Sequence, residues 1–216
     1  MPGSPLNALS VDPPFREYFL IDLDGDKIAQ LRHHVGARRD VHLLAGDCNE
    51  VLLSQVLPNV RFDQYRRGLC VLDPYGLHLS WQVIEAAGHL ETIDLFLNFP
   101  IMDMNRNALW RHPEQASPEG LARMTAFWGD ASWQGSVYRS EPTLFGDQDV
   151  KLENEEVAAA FGRRLKEVAG FKYVAPPLPM RNTKGATVYY LFFASQKPVA
   201  ERIVKDIFKK YQGRTG

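Results

Sequence analysis

Four short apolar runs, each closed by an acid or an amide, punctuate the first half of the chain: Tyr18-Phe19-Leu20-Ile21, Val41–Ala45, Leu69–Leu72 and Thr92–Leu97. A continuous apolar run of four to six residues bounded by turn residues predicts a strand buried on both faces. Between the runs, apolar positions return at helical spacing. Ile28, Leu31 and Val35 mark a helix over 26–35 ending at Gly36, and shorter helices are expected over about 50–56, before Pro58, and about 80–88. Buried strands alternating with helices predict βαβ crossovers and a mostly parallel sheet.

After Pro100 the pattern changes. Residues 101–150 hold three of the four tryptophans and no strong strand run, and read as an irregular insertion packed by Trp110, Trp128 and Trp133. Within it, Ser117 and Pro118 predict the start of a helix over 117–128. A helix is predicted from Asn154 to about Ala169, with Val157, Phe161, Leu165 and Val168 on its apolar side. Phe171–Val174 and Val188–Ala194 follow as an expected antiparallel pair at one edge of the sheet. An amphipathic helix over about 199–211 comes last, with Ile203, Ile207 and Phe208 expected on its apolar side.

Composition narrows the function classes. The 216 residues carry 25 basic and 26 acidic side chains, a formal charge of −1. That excludes a bulk electrostatic grip on nucleic acid and leaves room for a local patch. Cys48 and Cys70 are too few for a disulfide framework or a zinc site, and two buried thiols in a reduced cytosol are expected. No run approaches the roughly 18 apolar residues of a membrane span, and no secretory signal is visible, so a cytoplasmic protein of one domain over 1–216 is expected. No phosphate loop, nucleophile elbow or histidine pair at ligand spacing occurs, and no metal site is expected.

The chemistry gathers at the strand ends. Asp22 or Asp24 closes the first strand, Asp47 the second, Asp73 the third and Asn98 the fourth. In an open α/β sheet, ligands bind outside the carboxyl ends of the strands, where a carboxylate can accept two ribose hydroxyls or an amine. The alternative at each position is a helix N-cap. Asp73-Pro74-Tyr75-Gly76 adds a fixed backbone and a flat aromatic face; a strand-ending turn with a tyrosine lid is the competing reading. Asn98–Asn107 mixes asparagines, Asp103 and Arg106 with apolar anchors. There Asp103 can cap a short helix while Arg106 and Asn107 face an anion or a base.

These residues together resemble the three-Cys-motif partner protein family (TcmP). The resemblance rests on Phe19–Asp24, Gly46-Asp47-Cys48-Asn49, Leu72–Gly76, Asp94–Asn107, Met180-Arg181-Asn182 and Tyr189–Ser195, and spans nearly the whole chain. It implies a class I S-adenosylmethionine methyltransferase-like (Rossmann-like) three-layer sandwich with a mostly parallel sheet. It further implies Asp22, Asp24 and Asp47 toward the S-adenosylmethionine, Asp73, Pro74 and Tyr75 at the reacting centre, and Asn98, Asn105 and Arg106 toward substrate. Nucleic acid is one substrate expected of such an enzyme, though the resemblance does not carry it over, and a radical-SAM-like protein with three cysteines is an implied partner. Family members carry a strand and a Phe-Ala-Gly-Pro-Gly turn upstream of a Gly-Ser-Pro-Leu segment. This sequence begins at Met1-Pro2-Gly3-Ser4-Pro5-Leu6, so the first strand and the cofactor turn are expected to be missing, with impaired cofactor binding. Adenine amino-methyltransferases carry Asp-Pro-Pro-Tyr; the single Pro74 here moves the tyrosine back one position. The two functions expected are a methyltransferase-like enzyme and a non-catalytic binding or scaffold partner, with a nuclease a distant third.

Overall fold

The computed structural model describes residues 3–110, 115–143 and 146–211, which form a mixed α/β protein with parallel and antiparallel strands. Two compact units are present, residues 1–59 and 60–216.

The first unit runs α1 (Ser4–Leu9), β1 (Tyr18–Asp22), α2 (Gly25–Val35), β2 (Val41–Ala45) and α3 (Cys48–Val51). β1 and β2 pair in parallel, Tyr18 opposite Val41 and Asp22 opposite Ala45, with α2 as the crossover. The expected helix stopping before Pro58 differs in kind. α3 passes into a π-helical turn over Leu52–Val56 and then a 3₁₀ turn, Leu57–Asn59, that takes in Pro58. Proline tolerates this because the first turn of a helix leaves its amide unbonded anyway.

The second unit holds β3 (Gly68–Leu72), α4 (Trp81–His89), β4 (Ile93–Phe99), α5 (Ile101–Asn107), α6 (Pro118–Trp128) and α7 (Trp133–Val137). It continues with β5 (Tyr138–Thr143), β6 (Gly146–Lys151), α8 (Asn154–Glu167), β7 (Tyr173–Val174), β8 (Leu178–Arg181), β9 (Thr187–Ser195) and α9 (Pro198–Tyr211). Its main sheet has the order β3-β4-β9-β7, with β8 also pairing with β9. β3 and β4 are parallel, while β9 runs antiparallel to β4, β7 and β8.

Two expectations are corrected here and one holds. The four parallel strands do not share one sheet: β1-β2 and β3-β4 belong to separate sheets. The expected antiparallel pair does sit at one edge of the main sheet, as β9 with β7, and β9 pairs with β4 and β8 as well. The 101–150 segment contains three helices and a β5-β6 hairpin among its described residues. The hairpin strands, Tyr-Arg-Ser-Glu-Pro-Thr and Gly-Asp-Gln-Asp-Val-Lys, carry no apolar alternation to announce them. Residues 111–114, 144 and 145 of this segment lie outside the described residues.

Alternation sorts the main sheet into two faces. Ile93, Leu95, Leu97 and Phe99 of β4 and Phe192 of β9 are buried on one face. Phe99, Phe127, Phe161 and Phe192 meet there with ring centroids 4.6–5.9 Å apart, joining β4 and β9 to α6 and α8. A Cβ on Gly88 would sit 1.8 Å from the Ala169 carbonyl, so only glycine lets α4 approach the end of α8 this closely. On the opposite face α9 lays Phe208 against Phe193 and Phe96, with Ala200 and Val204 alongside. Ile203 and Ile207, expected to be buried with Phe208, are exposed, since the sheet takes only the Ala200–Val204–Phe208 stripe. On β3 the residues sharing that face, Leu69 and Val71, stay 45% and 59% exposed.

Candidate functional site

In the first unit the three acids expected to face the cofactor are built into turns. Asp24 is the N-cap of α2, its Oδ1 accepting from the amides of Asp26 at 2.9 Å and Lys27 at 3.3 Å. Asp47 caps α3 in the same way, accepting from the Asn49 amide at 2.7 Å. Asp22 accepts from the Asp24 amide at 2.9 Å and lies 3.8 Å from the Lys27 ammonium. Such caps stabilise a helix by about 1 kcal/mol each, which explains acids at these positions without any ligand. Burial, and then the Asp47 charge, pushes the neighbouring half-buried Cys48 thiol up.

S-adenosylmethionine needs more than acids, because its charged tail is held by amides of a glycine turn that backbone can approach closely. After β1 the chain enters α2 through Asp24-Gly25, and after β2 a Cβ on Gly46 would lie 3.1 Å from the Val51 side chain. The space beside Gly46 is filled from within the unit, while a Cβ on Gly25 would meet nothing within 4 Å. Each of these turns carries a single glycine, and no Gly-x-Gly turn for the cofactor's tail follows either strand.

The second unit gathers polar groups at the carboxyl ends of β3 and β4. Asn98, inside β4, donates through Nδ2 to Asp73 Oδ1 at 2.6 Å. The parallel register sets this pair up: Leu72 lies opposite Leu97, so the next residues of the two strands are neighbours. The Asn98 Oδ1 is buried with no hydrogen-bond partner among the described residues. Leaving a buried acceptor unmet costs about 1–3 kcal/mol.

Asp103 joins from α5. Asn107 donates to its Oδ1 at 2.9 Å and to its carbonyl at 3.0 Å, fixing the carboxylate one helical turn away. Its other oxygen, Oδ2, presses on Gly76: a Cβ there would lie only 2.5 Å away, and Gly76 has φ +63°. The Asp73–Gly76 turn is thus held against α5. Tyr75, in that turn, is 93% exposed and offers its ring to solvent instead of lidding the core. Among the described residues no group of three or more His, Cys, Asp or Glu is placed to hold a metal ion.

The sequence-predicted residues therefore separate. Asp73, Pro74, Tyr75 and Asn98 share one place, together with Asp103. Asn105 donates to Asn154 Oδ1 at 3.0 Å, tying α5 to α8, and no described hydrogen bond joins it to Asp73. Arg106 is exposed, and its carbonyl accepts from Trp110 Nε1 at 2.8 Å. Sequence reasoning noted Asp103 only as a cap. Its approach to Gly76 was invisible because the two meet through strand pairing, although the pattern Tyr-Gly after a strand end hints at a tight turn. Comparison with family models, with curated proteins and with solved structures returns no match to this chain.

Proposed function

We propose that the chain is a methyltransferase-like module that recognises an amino group at Asp73-Pro74-Tyr75 and Asn98, and that its described residues do not by themselves hold S-adenosylmethionine. The exocyclic amine of a nucleobase is the substrate group of choice. The observation that carries this reading is the acceptor character of the site: the Asp73 carboxylate is joined to the Asn98 amide, whose buried Oδ1 has no partner among the described residues, and Tyr75, two residues on, is exposed. With the Asn98 donor already taken by Asp73, the capacity left is that of acceptors, which selects a ligand rich in N–H groups, and an aromatic ring in the same turn suits a base. The sheet supports the methyltransferase-like reading through its parallel β3-β4 pair, followed by an antiparallel strand toward one end.

In this mechanism the chain's own residues bind and orient. Asp73 accepts one amine hydrogen and Asn98 Oδ1 the other, which points the nitrogen lone pair out of the base plane. Pro74 fixes the backbone between the acid and Tyr75, whose ring supplies the stacking face. Titration calorimetry with cytidine, uridine and S-adenosylmethionine tests the reading. Cytidine is expected to bind at least roughly tenfold tighter than uridine, the worth of about 1.5–3 kcal/mol for a hydrogen bond to a charged acceptor. S-adenosylmethionine is expected to give no heat of binding. Equal affinity for the two nucleosides would remove the acceptor site.

A second reading, a scaffold partner for a three-cysteine radical-SAM-like protein, is favoured by the capped acids of the first unit and by the apolar edge strand β3. Co-purification of the two proteins, abolished by Val71→Lys, is its test.

A further inference from the structure

At the opposite end of the main sheet, the loop before β3 has a composition the acceptor site does not use: Arg61-Phe62-Asp63-Gln64-Tyr65-Arg66-Arg67. Phe62 is 77% and Tyr65 95% exposed. Two aromatic rings left in water within four residues bury no core and need another explanation.

The loop is not loose. The Arg61 carbonyl accepts from the amides of both Gln64 and Arg66 at 3.2 Å, and the Phe62 carbonyl from that of Tyr65 at 3.0 Å. Its two ends are pinned to the same residue: Thr92 Oγ1 donates to the Val60 carbonyl, and the Gly68 amide donates to the Thr92 carbonyl. The rings are thus carried on a closed turn fixed at its base, so little ordering entropy is lost when they engage a ligand.

Charge accompanies the rings. Strand directions bring the amino ends of β3, β4 and β7 and the carboxyl end of β9 to this side. Over residues 60–68, 89–94, 170–173 and 195–198 there are five Lys or Arg against three Asp or Glu. The acids hold the bases in position: Asp63 binds Arg61 at 2.8 Å, Asp94 lies 3.6 Å from Arg67, and Glu91 lies 3.4 Å from Lys172. The surplus is positive on a chain whose net charge is −1.

We infer that loop 61–67 is a docking surface for single-stranded nucleic acid, with Phe62 and Tyr65 stacking on successive bases and the arginines facing the phosphates. Interleaved rings and cations match that ligand, since every base has a face to stack and every phosphate a charge. A duplex hides its base faces and does not fit. The inference uses no residue of the acceptor site.

The test is fluorescence anisotropy of a labelled oligouridylate with the full chain. Uridine carries no exocyclic amine, so binding here stands or falls separately from the amine-recognition reading. Binding is expected to weaken on the order of tenfold between 50 and 200 mM salt. Phe62→Ala/Tyr65→Ala is expected to bind about 30-fold or more weakly, with an unchanged melting temperature because both rings are exposed. Excess cytidine, the probe for the acceptor site, is expected not to displace the oligonucleotide. No binding at low salt, salt-independent binding, equal binding of a duplex of the same length, or an undiminished double variant would each overturn the inference.

Discussion

Asn98 Nδ2 lies 2.6 Å from Asp73 Oδ1, a bond between the carboxyl ends of two parallel strands that leaves the Asn98 side-chain oxygen buried and without a partner among the described residues. Removing the carboxylate strands the amide donor as well. Asp73→Ala is expected to cost about 1–2 kcal/mol in urea unfolding and to lower cytidine affinity roughly tenfold. Unchanged cytidine affinity would show that the acid is only a turn residue.

Gly76→Ala places a methyl group against Asp103 and forces alanine into a positive φ. The expected loss is about 1–3 kcal/mol. In an Asp103→Ala background the collision disappears and only the backbone cost, about 1 kcal/mol, should remain. The double-mutant cycle reads the difference directly.

Arg164 sits 4.6 Å over the Trp81 ring while Nε donates to the Trp128 carbonyl at 2.6 Å and Nη2 to Asp130 at 2.7 Å. Arg164→Lys keeps the charge but loses the planar fork, so it is expected to lose about 1–3 kcal/mol of stability.

Hydrogen bonding from Ser132, and with it the Arg164 guanidinium, holds the Asp130 carboxyl below the usual carboxylate range. A depressed acid stabilises fully above its ordinary value of about 3.9 and loses that contribution as pH falls below it. Asp130→Asn should therefore flatten the acid limb of the stability–pH curve and leave the limb above pH 5 parallel to wild type. The effect is expected to be small and salt-sensitive, because the side chain is largely exposed.

Leu69 and Val71 face solvent from β3, the end strand of its sheet. An apolar edge strand is a template for pairing with other chains. Concentrated protein is expected to self-associate in light scattering, and Val71→Lys is expected to suppress this without lowering the melting temperature.

Much of this was legible. The runs at Tyr18, Val41, Leu69 and Ile93 became strands because uninterrupted apolar sequence has few other places to go, and Ser117-Pro118 began α6 through cap chemistry that acts within one turn. Other elements left no local mark. β8 carries a proline at its second position, and β5-β6 is mostly polar, so both depend on their pairing partners. The acids of the first unit were ambiguous in sequence because a cap and a ligand acceptor use the same carboxylate; amide distances of 2.7–3.3 Å show Asp24 and Asp47 capping α2 and α3. At the acceptor site, Asp73 and Asn98 could be named from their strand ends. Asp103 against Gly76 could not, since that meeting depends on how α5 leaves β4.

The position of β9 beside β4 has a consequence for the order in which the protein can be made. Asp94 and its partner Ser195 are 101 residues apart, and the Ser195 hydroxyl donates to that carboxylate at 2.6 Å. At about 5–20 residues per second, a ribosome delivers the second roughly 5–20 s after the first. Throughout that interval β4 has β3 on one side and nothing on the other, with Phe99 and Leu97 waiting for Phe192. The nascent chain thus carries an unfinished sheet through nearly half of its translation, a window in which a holdase chaperone has a defined apolar strand to shield.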